Sequence, residues 1–270
     1  MTTPTLRTTI WEEEAASDDP FTAEACYCRG YNVFGELLER ASYPEYLYLL
    51  FRGEKPEPVA ARVLEILAIA LANPGPLDPA VHAAMGAGVS GAPAAAALMS
   101  ALAVGAGSSG GAREVLLAME RWQRCGMSLD RWEADLRQPP RPTRQEVWPE
   151  CEHPPGFAPC CTHASLPVLQ TLAALTARLE NGQTAWLSTH RKHLESIAGC
   201  PLAMAGVAAA ALSDLAFLPM AGEMLVLLLR LPGAAAHALE QAEIGFRSFP
   251  FFAIDIVNDP GPLVHTGTKS

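Results

Sequence analysis

The sequence predicts a mostly α-helical protein. Runs of alternating β-branched residues, which are typical of strands, are almost absent from the 270 residues. Alanine, leucine, glutamate and arginine instead recur at helical spacing along most of the chain. A chain of 28.7 kDa is long enough to bury a substantial core, so we expect one large domain, or one large and one smaller domain.

The predicted helices follow one another through short connections. Pro44, Pro56 and Pro58 fall near helix starts or in connections, where a missing backbone N–H does little harm. The predicted helices cover residues 31–41, 42–52, 57–72, 78–85, 92–104, 111–125, 128–136, 166–180, 184–198, 201–215, 220–231 and 233–244.

The segment 138–167 interrupts this helical pattern. Proline recurs along its length, so a continuous helix cannot form there. Long ordered loops tend to carry function, and the length of this loop alone makes it a candidate for part of a site.

The composition limits the partners that the chain can have. Half of the residues are hydrophobic and only 18% are charged, which predicts that some apolar surface is covered by a second copy. A net charge of -10 without a long basic run disfavours nucleic acid, although a local cluster of arginines would suffice for a small anion. The N-terminal residues carry no secretion-signal pattern, so a cytoplasmic protein is expected.

Two long stretches with few charges, residues 83–112 and 201–229, have the length of membrane spans. The first is rich in alanine and glycine and is broken by Pro93, so its hydrophobicity per residue is weak. We therefore predict tightly packed core helices and no membrane partner.

The segment 26–56, CYCRGYNVFGELLERASYPEYLYLLFRGEKP, carries a recognisable pattern. It resembles the citrate synthase signature, in which an RGYD-type turn precedes a helix and then a second helix that ends in a Gly-Glu-x-Pro segment. Asn32 replaces the usual acidic residue of the turn. The matching residues are Arg29, Gly30, Tyr31, Glu45, Leu49, Leu50, Gly53, Glu54 and Pro56.

Three further segments resemble blocks of the same family. Residues 86–120 are similar to its paired glycine-rich blocks, and Gly110, Gly111, Ala112 and Glu114 keep the second block. Residues 153–159, HPPGFAP, look like its P-G-(F/Y)-G-H turn. Residues 203–241 look like its C-terminal helix pair. The resemblance spans residues 26–241 and is to the citrate synthase superfamily, close to its short citryl-CoA-lyase-like members.

The resemblance implies an all-α, citrate-synthase-like helical fold with a large helical body and a smaller helical lobe. Residues 1–25 would form an N-terminal arm, and 26–110 together with 199–270 the large helical domain. Residues 111–198 would form the small lobe, including the loop 138–167, which is rich in proline and cysteine. A homodimer is expected through the alanine-rich helices near 92–104 and 201–229, because small residues let helix backbones approach closely.

The family's chemistry needs titratable groups that this chain lacks. An acidic side chain removes a proton from the acyl-CoA methyl group, one histidine hydrogen-bonds the enol oxygen, and further histidines and arginines hold the oxo-acid. In this sequence the three histidine positions fall on Met85, Ser109 and Pro159, and the aspartate position falls on Ala205. Methionine, proline and alanine side chains cannot transfer a proton, so ordinary citrate synthase activity is not expected and the catalytic residues stay unknown.

What the resemblance leaves is a pocket without the standard catalytic groups. Arg230 stands at the position of the family's carboxylate-binding arginine, although it could instead satisfy the last carbonyls of its helix. Ser109 is a candidate neutral donor, and Cys160, Cys161 and His163 are candidate replacements for the missing base. The expected substrate-binding residues are Ser90, Ser108, Ser109, Gly110, Gly111, Gly156, Phe157 and Arg230.

The same loop concentrates thiol and imidazole groups, the ligands that zinc prefers. Its spacing fits no common zinc finger, and seven cysteines, an odd number, fit reduced thiols as well as a metal. A metal site is therefore not the favoured interpretation. Its weak candidate ligands are Cys151, His153, Cys160, Cys161 and His163.

Other polar residues are given structural roles. Arg113 and Glu114, in the first turn of their helix, are expected to be solvated, and Asp214 is expected to cap the turn that follows it.

Taken together, the resemblance implies a protein that acts on or binds an acyl-CoA thioester and a carboxylate (oxo-acid) ligand with a non-standard active site. If active, it would be a C–C lyase or acyltransferase, with coenzyme A thioester as substrate and no tightly bound cofactor. The alternative is a pseudoenzyme, a non-catalytic homodimer with a regulatory, structural or metal-binding role.

Overall fold

The computed structural model describes residues 7–139 and 153–250, and in these ranges the mostly helical prediction is confirmed. The predicted division into arm, large domain and small lobe stays a prediction. The elements are β1 (Trp11–Ala15), β2 (Ala23–Cys28), β3 (Tyr31–Asn32), a π-helical turn (Val33–Leu37), α1 (Leu38–Arg40), α2 (Tyr43–Arg52), α3 (Pro58–Ala72), α4 (Pro79–Val89), α5 (Ala94–Gly105), α6 (Ala112–Cys125), α7 (Leu129–Arg137), α8 (Leu166–Thr176), α9 (Gln183–Ala198), α10 (Met204–Asp214), α11 (Pro219–Ile244) and a short 3-10 turn (Phe246–Ser248).

A small antiparallel sheet, β1-β2-β3, precedes the helices and was not expected from the sequence. The predicted helix 31–41 is wrong in its first part, because Tyr31 pairs with Cys28 in the sheet. All five residues of β1 are exposed and three of them are glutamates, so no apolar alternation marks the strand. Pairing with β2 holds β1 in place, and this pairing depends on contacts outside the local sequence.

Local capping explains where the first helices begin and end. Asn32, which stands where the citrate synthase signature has an acidic residue, accepts a hydrogen bond from the Gly35 N–H at 2.7 Å. Ser42 and Glu45 form a capping box at the start of α2. Gly53 ends α2 in the left-handed region, with φ of 81°.

Helix α10 lies at the centre of the main hydrophobic core. Its residues Val207–Leu212 are completely buried. It packs against α6, α8, α9 and α3. Helix α6 contributes a buried apolar face with Val115, Met119 and Trp122, while its other face carries charges. The alanines of α10 are small, and we attribute the close packing of the surrounding helices to them.

Helix α11 is one continuous helix, so the prediction of two helices, 220–231 and 233–244, is wrong. Pro232 lies inside it, and an interior proline costs about 3 kcal/mol because it removes a backbone hydrogen bond. Burying one leucine or valine side chain contributes about 1.5–3 kcal/mol, and α11 buries Leu225, Val226 and Leu229 before the proline. Packing on both sides of Pro232 therefore outweighs the lost bond.

Among the described residues, α11 is the one helix whose length and hydropathy would allow it to cross a membrane. In its most apolar window, 39% of the residues are buried against the rest of the protein. It packs against α3, α4, α5 and α6. The first long stretch, 83–112, falls mainly on the two separate helices α4 and α5.

Helices α4, α5 and α11 meet through small side chains. Val81, Ala84, Ala97, Ala101 and Ala234 form a separate buried cluster between them. The closest approach is at Gly88 of α4, where a Cβ atom would lie 2.1 Å from the Ala238 carbonyl oxygen of α11.

We predict that Gly88→Ala lowers the free energy of unfolding by about 1–3 kcal/mol, because the added methyl group would force α4 and α11 apart. Gly86→Ala is the matched control in the same helix, since nothing lies within 4 Å of a Cβ at that position. Alanine should stabilise that site by up to about 1 kcal/mol through its helix propensity. Urea unfolding followed by circular dichroism measures both changes, and equal effects of the two substitutions would contradict the close approach.

Candidate functional site

The start of α6 is organised by the buried carboxylate of Glu114. This side chain is 2% exposed. It accepts hydrogen bonds from the Gly110 N–H at 2.6 Å and from the Gly156 N–H at 2.8 Å. The expectation that Glu114 is solvated is wrong, because the turn 153–157 covers it. A negative charge in the first turn of a helix is also favoured by the helix dipole.

His153 lies beside this carboxylate. Its Nε2 is 3.6 Å from Glu114 Oε1, and both side chains are buried. Glu114 therefore connects three places in the chain: the glycine-rich turn before α6, the turn at Gly156 and the imidazole of His153. His153 was a weak candidate metal ligand, and the structure places it against a carboxylate that already accepts two N–H groups.

The turn 154–157 is also held from its other side. Arg121 of α6 donates from Nη1 to the Pro155 carbonyl at 2.9 Å. Its Nε donates to Asp135 of α7 at 2.7 Å, and both side chains of this ion pair are buried. Arg124 adds two hydrogen bonds to the other oxygen of Asp135. A buried ion pair is tolerated when further hydrogen bonds satisfy its polar atoms, and here both oxygens of Asp135 accept hydrogen bonds and Arg121 also donates to the Pro155 carbonyl.

The same turn contacts the beginning of α10. Phe157 and Leu202 form an antiparallel bridge, and the Ala203 N–H donates to the Gly156 carbonyl at 2.9 Å. A Cβ at Gly206 would lie 2.4 Å from that same carbonyl oxygen, so the approach requires glycine. Ala205, at the family's aspartate position, is therefore a neighbour of the turn that the sequence singled out.

Arg230 reaches the site from α11. Its Nη1 donates to the Gly110 carbonyl at 2.9 Å, and its Nη2 pairs with the Asp78 carboxylate. Because α11 continues to Ile244, Arg230 lies inside the helix, and the alternative that it satisfies the last carbonyls of the helix is wrong. Beside this pair lies a cavity of about 10 Å³, which is room for one water molecule.

The structure thus brings part of the predicted site together. Hydrogen bonds and backbone contacts connect the turn at Gly110 to Arg230 on one side and, through Glu114, to Gly156 and α10 on the other. The predicted residues in or next to these contacts are Ser108, Ser109, Gly110, Gly111, Gly156, Phe157, Ala205 and Arg230.

Two predicted residues lie farther along α4. Met85 is seven residues after Asp78, about 10 Å along the helix axis, and packs partly buried against the cluster between α4, α5 and α11. Ser90 is exposed at the end of α4, where its hydroxyl donates to the Ala87 carbonyl at 2.8 Å. A packed methionine at position 85 suits a helix interface.

The candidate replacement groups lie on the segment after the turn. Pro159, Cys160, Cys161 and His163 are exposed, and His163 Nδ1 is 3.0 Å from Thr162 Oγ1. Cys151 lies outside the described residues. Within the described ranges no three histidine, cysteine, aspartate or glutamate side chains are grouped so that they could hold a metal ion. The geometry therefore gives no support to a metal site in this part of the chain.

Asp214 is a cap, as its residue type suggested, but it caps the start of α9 and not the turn that follows Asp214 in the chain. Its carboxylate accepts from the N–H groups of Gln183 at 2.5 Å and Thr184 at 2.9 Å, and from the Thr184 hydroxyl at 2.6 Å. Arg113 is solvated, as expected, with a side chain that is 40% exposed, and it also pairs with Glu223 at 3.0 Å.

Sequence reasoning missed the cluster of Glu114, His153, Arg121 and Asp135. One local signal was available for Glu114. It is the third residue of α6 after the cap Gly111, which is the position from which a glutamate folds back onto the N–H groups that precede a helix. Nothing local marked Arg121 and Asp135, because an i, i+14 pair depends on how α6 and α7 pack.

Comparison with solved structures identifies the fold. The citryl-CoA lyase from Hydrogenobacter thermophilus is similar with a TM-score of 0.69 and 18% identity, covering 95% of this chain and 98% of that one. The ATP citrate lyase from Methanothrix soehngenii, solved with citrate and coenzyme A, gives a TM-score of 0.73 and 17% identity over 100% of this chain. The D541A mutant of Methanosaeta concilii ATP citrate lyase, solved with (3S)-citryl-CoA, gives a TM-score of 0.70 and 17% identity over 96% of this chain.

These similarities confirm the citrate-synthase-like helical fold expected from the sequence, and show the chain to be citryl-CoA-lyase-like in structure. The chain covers only 44% and 43% of the lengths of the two ATP citrate lyases. No protein-family model matches the sequence, and no curated protein matches it either.

We predict that Glu114→Gln destabilises the fold by about 1–3 kcal/mol, because a carboxamide can accept from only one of the two buried N–H groups and leaves the other unpaired. Glu120→Gln is the control, since Glu120 is a partly exposed glutamate of the same helix. Chemical denaturation measures both variants. If Glu114→Gln unfolds at the same denaturant concentration as the control, the buried carboxylate does not hold the two turns together.

Proposed function

We propose that the protein binds an acyl-CoA thioester and a carboxylic acid in the region of Ser109, Gly156, Ala205 and Arg230, without ordinary citrate synthase turnover. Three structures with the same fold support the class of ligand, since two of them were solved with citrate and coenzyme A or with (3S)-citryl-CoA. In this chain Gly110, Gly156 and Arg230, three of the residues that match the motifs, are connected by hydrogen bonds through Glu114 and the Gly110 backbone.

One observation carries the proposal that turnover is absent. The described titratable groups that hold these turns, Glu114, Arg121 and Asp135, are buried and engaged in hydrogen bonds to backbone or to each other. A proton-transfer group must reach the substrate, and none of these three side chains points to open solvent. Ser109, exposed on the turn before α6, remains the candidate neutral donor to a thioester carbonyl.

If the protein nevertheless catalyses a C–C lyase or acyltransferase reaction, its candidate base is Cys160, Cys161 or His163 on the exposed segment after the turn. We propose further that the protein is cytoplasmic, with no nucleic acid or membrane among its partners. These proposals rest on the acidic net charge of -10, which disfavours nucleic acid, and on the free cysteines of the described residues, which suit a reducing compartment.

The second partner that we propose is another copy of the chain. Helix α10 is covered by its own chain, so the alanine-rich region 201–214 is not available as an interface. Helix α11 instead exposes Met220, Met224 and Leu228, which are spaced four residues apart and so lie on one face. Helix α5, which packs against α11, exposes Met99 and Val104. A cluster of exposed apolar residues on two adjacent helices is typical of a surface that another protein covers.

We expect the wild-type protein to show saturable binding of acetyl-CoA by calorimetry and no release of free thiol when acetyl-CoA and oxaloacetate are incubated with it. Ser109→Trp should weaken the binding about tenfold or more, because the indole would obstruct the exposed turn beside Gly110. The matched control is Ser188→Trp, at an exposed position of α9. Wild-type protein that does not bind acetyl-CoA would refute the proposal, and rapid thiol release would refute the absence of turnover.

For the assembly we expect a dimer by size-exclusion chromatography with light scattering at micromolar concentration. Met224→Glu should give monomers, since an unpaired carboxylate is costly to bury in an apolar interface. Phe21→Glu, at an exposed apolar residue in the connection between β1 and β2, should leave the dimer intact. A monomeric wild-type protein, or a dimer that persists in Met224→Glu, would rule out this interface.

A further inference from the structure

The contact between Asp78 and Arg230 gives the proposed carboxylate site an unexpected property. We infer that the Asp78 carboxylate occupies the place on the Arg230 guanidinium where a ligand carboxylate would bind. A ligand carboxylate must therefore displace Asp78, and Asp78 thereby sets the affinity of this subsite for carboxylic acids. The inference rests on the proposed function, in which Arg230 is the residue that receives the carboxylate.

Asp78 is held in position by the helix that it caps. Its Oδ1 accepts from the N–H groups of Ala80 at 3.0 Å and Val81 at 3.3 Å, in the first turn of α4. Its Oδ2 is left for Arg230. The carboxylate therefore reaches Arg230 already oriented by the end of α4, and little side-chain freedom remains to be lost when the pair forms.

Arg230 is equally constrained. Its Nη1 donates to the Gly110 carbonyl, and its Nη2 is paired with Asp78, so both terminal nitrogens already have partners. A planar guanidinium recognises a carboxylate best through two parallel N–H bonds. The two contacts use one N–H of each terminal nitrogen, so a ligand carboxylate that bridges the two nitrogens must compete with Asp78 and with the Gly110 carbonyl.

The space around the pair leads to the same conclusion. The cavity of about 10 Å³ beside it is lined by Ala80, Ala101, Gly105 and Leu227 as well as by the two charged residues. One water molecule fits there, and a carboxylate group does not. Binding of a carboxylate at Arg230 therefore requires the two side chains to separate.

The charge balance explains why Asp78 affects carboxylates in particular. Asp78 and Arg230 are each 13% exposed, so solvent screens them only in part. Their formal charges cancel, and an arriving anion meets no net attraction from this pair. Substituting Asp78 by asparagine keeps a strong helix cap and leaves the arginine with an uncompensated positive charge.

The experiment compares oxaloacetate binding to the wild-type protein and to Asp78→Asn by calorimetry. We expect the variant to bind about tenfold more tightly or better, the gain of a charge-assisted pair that no longer has to displace an internal partner. Asp130→Asn, at an exposed aspartate in the first turn of α7, removes the same charge from a comparable helix position and should leave the affinity unchanged. The double variant Asp78→Asn/Arg230→Met should lose the gain, which assigns it to the arginine.

Four outcomes decide the matter. No gain in a folded Asp78→Asn protein, or a gain that persists without Arg230, overturns the inference. Asp78→Ser, a second variant that keeps a capping side chain, should reproduce the gain. If both Asp78 variants unfold, the pair is indispensable to the fold and no ligand displaces it, which also overturns the inference. Acetyl-CoA binding is measured separately, on the wild-type protein alone. If acetyl-CoA does not bind, the CoA part of the proposed function is refuted, whereas a gain in oxaloacetate affinity in Asp78→Asn still supports the inference.

Discussion

A single buried carboxylate holds the two turns of the candidate site together. Burying an unpaired negative charge would be prohibitive, and Glu114 is tolerated because two backbone N–H groups and the imidazole of His153 surround it. Both N–H groups belong to glycines with positive φ, 74° at Gly110 and 92° at Gly156, and other residues rarely adopt this conformation. Glu114, in the first turn of α6, thus holds the turns at Gly110 and Gly156, which are 46 residues apart in the chain.

The rest of the site follows from these two turns. Gly110 gives its N–H to Glu114 and its carbonyl to Arg230, so the turn before α6 connects α6 to α11. Gly156 gives its N–H to Glu114 and its carbonyl to Ala203, which connects α6 to the start of α10. The site is therefore built largely from backbone groups, and backbone positions can be kept while side chains change. This construction is compatible with the proposed binding of an acyl-CoA thioester and a carboxylic acid.

Fold and chemistry depend on different residues, so a fold can persist when catalytic side chains change. At 17–18% identity the helical framework remains similar to that of the citryl-CoA lyase and the ATP citrate lyases. The framework needs small residues where helices cross, such as Gly88 against Ala238 and Gly206 against Gly156, and apolar residues elsewhere. Catalysis of the family's reaction needs a few specific side chains, and these can be replaced without loss of packing.

The sequence by itself determined most of the helices, the citrate-synthase-like fold class and the segments of the candidate site, because helical periodicity, capping and glycine turns are local properties. Tertiary structure alone decided the other features. The strand β1 exists through pairing with β2, α11 continues through Pro232 because both halves are packed, and Glu114 is buried because a distant turn covers it. The pairing of Asp78 with Arg230 joins residues 152 positions apart. The sequence singled out Arg230 alone, as a carboxylate-binding or capping residue, and only the packing of α4 against α11 brought Asp78 to it.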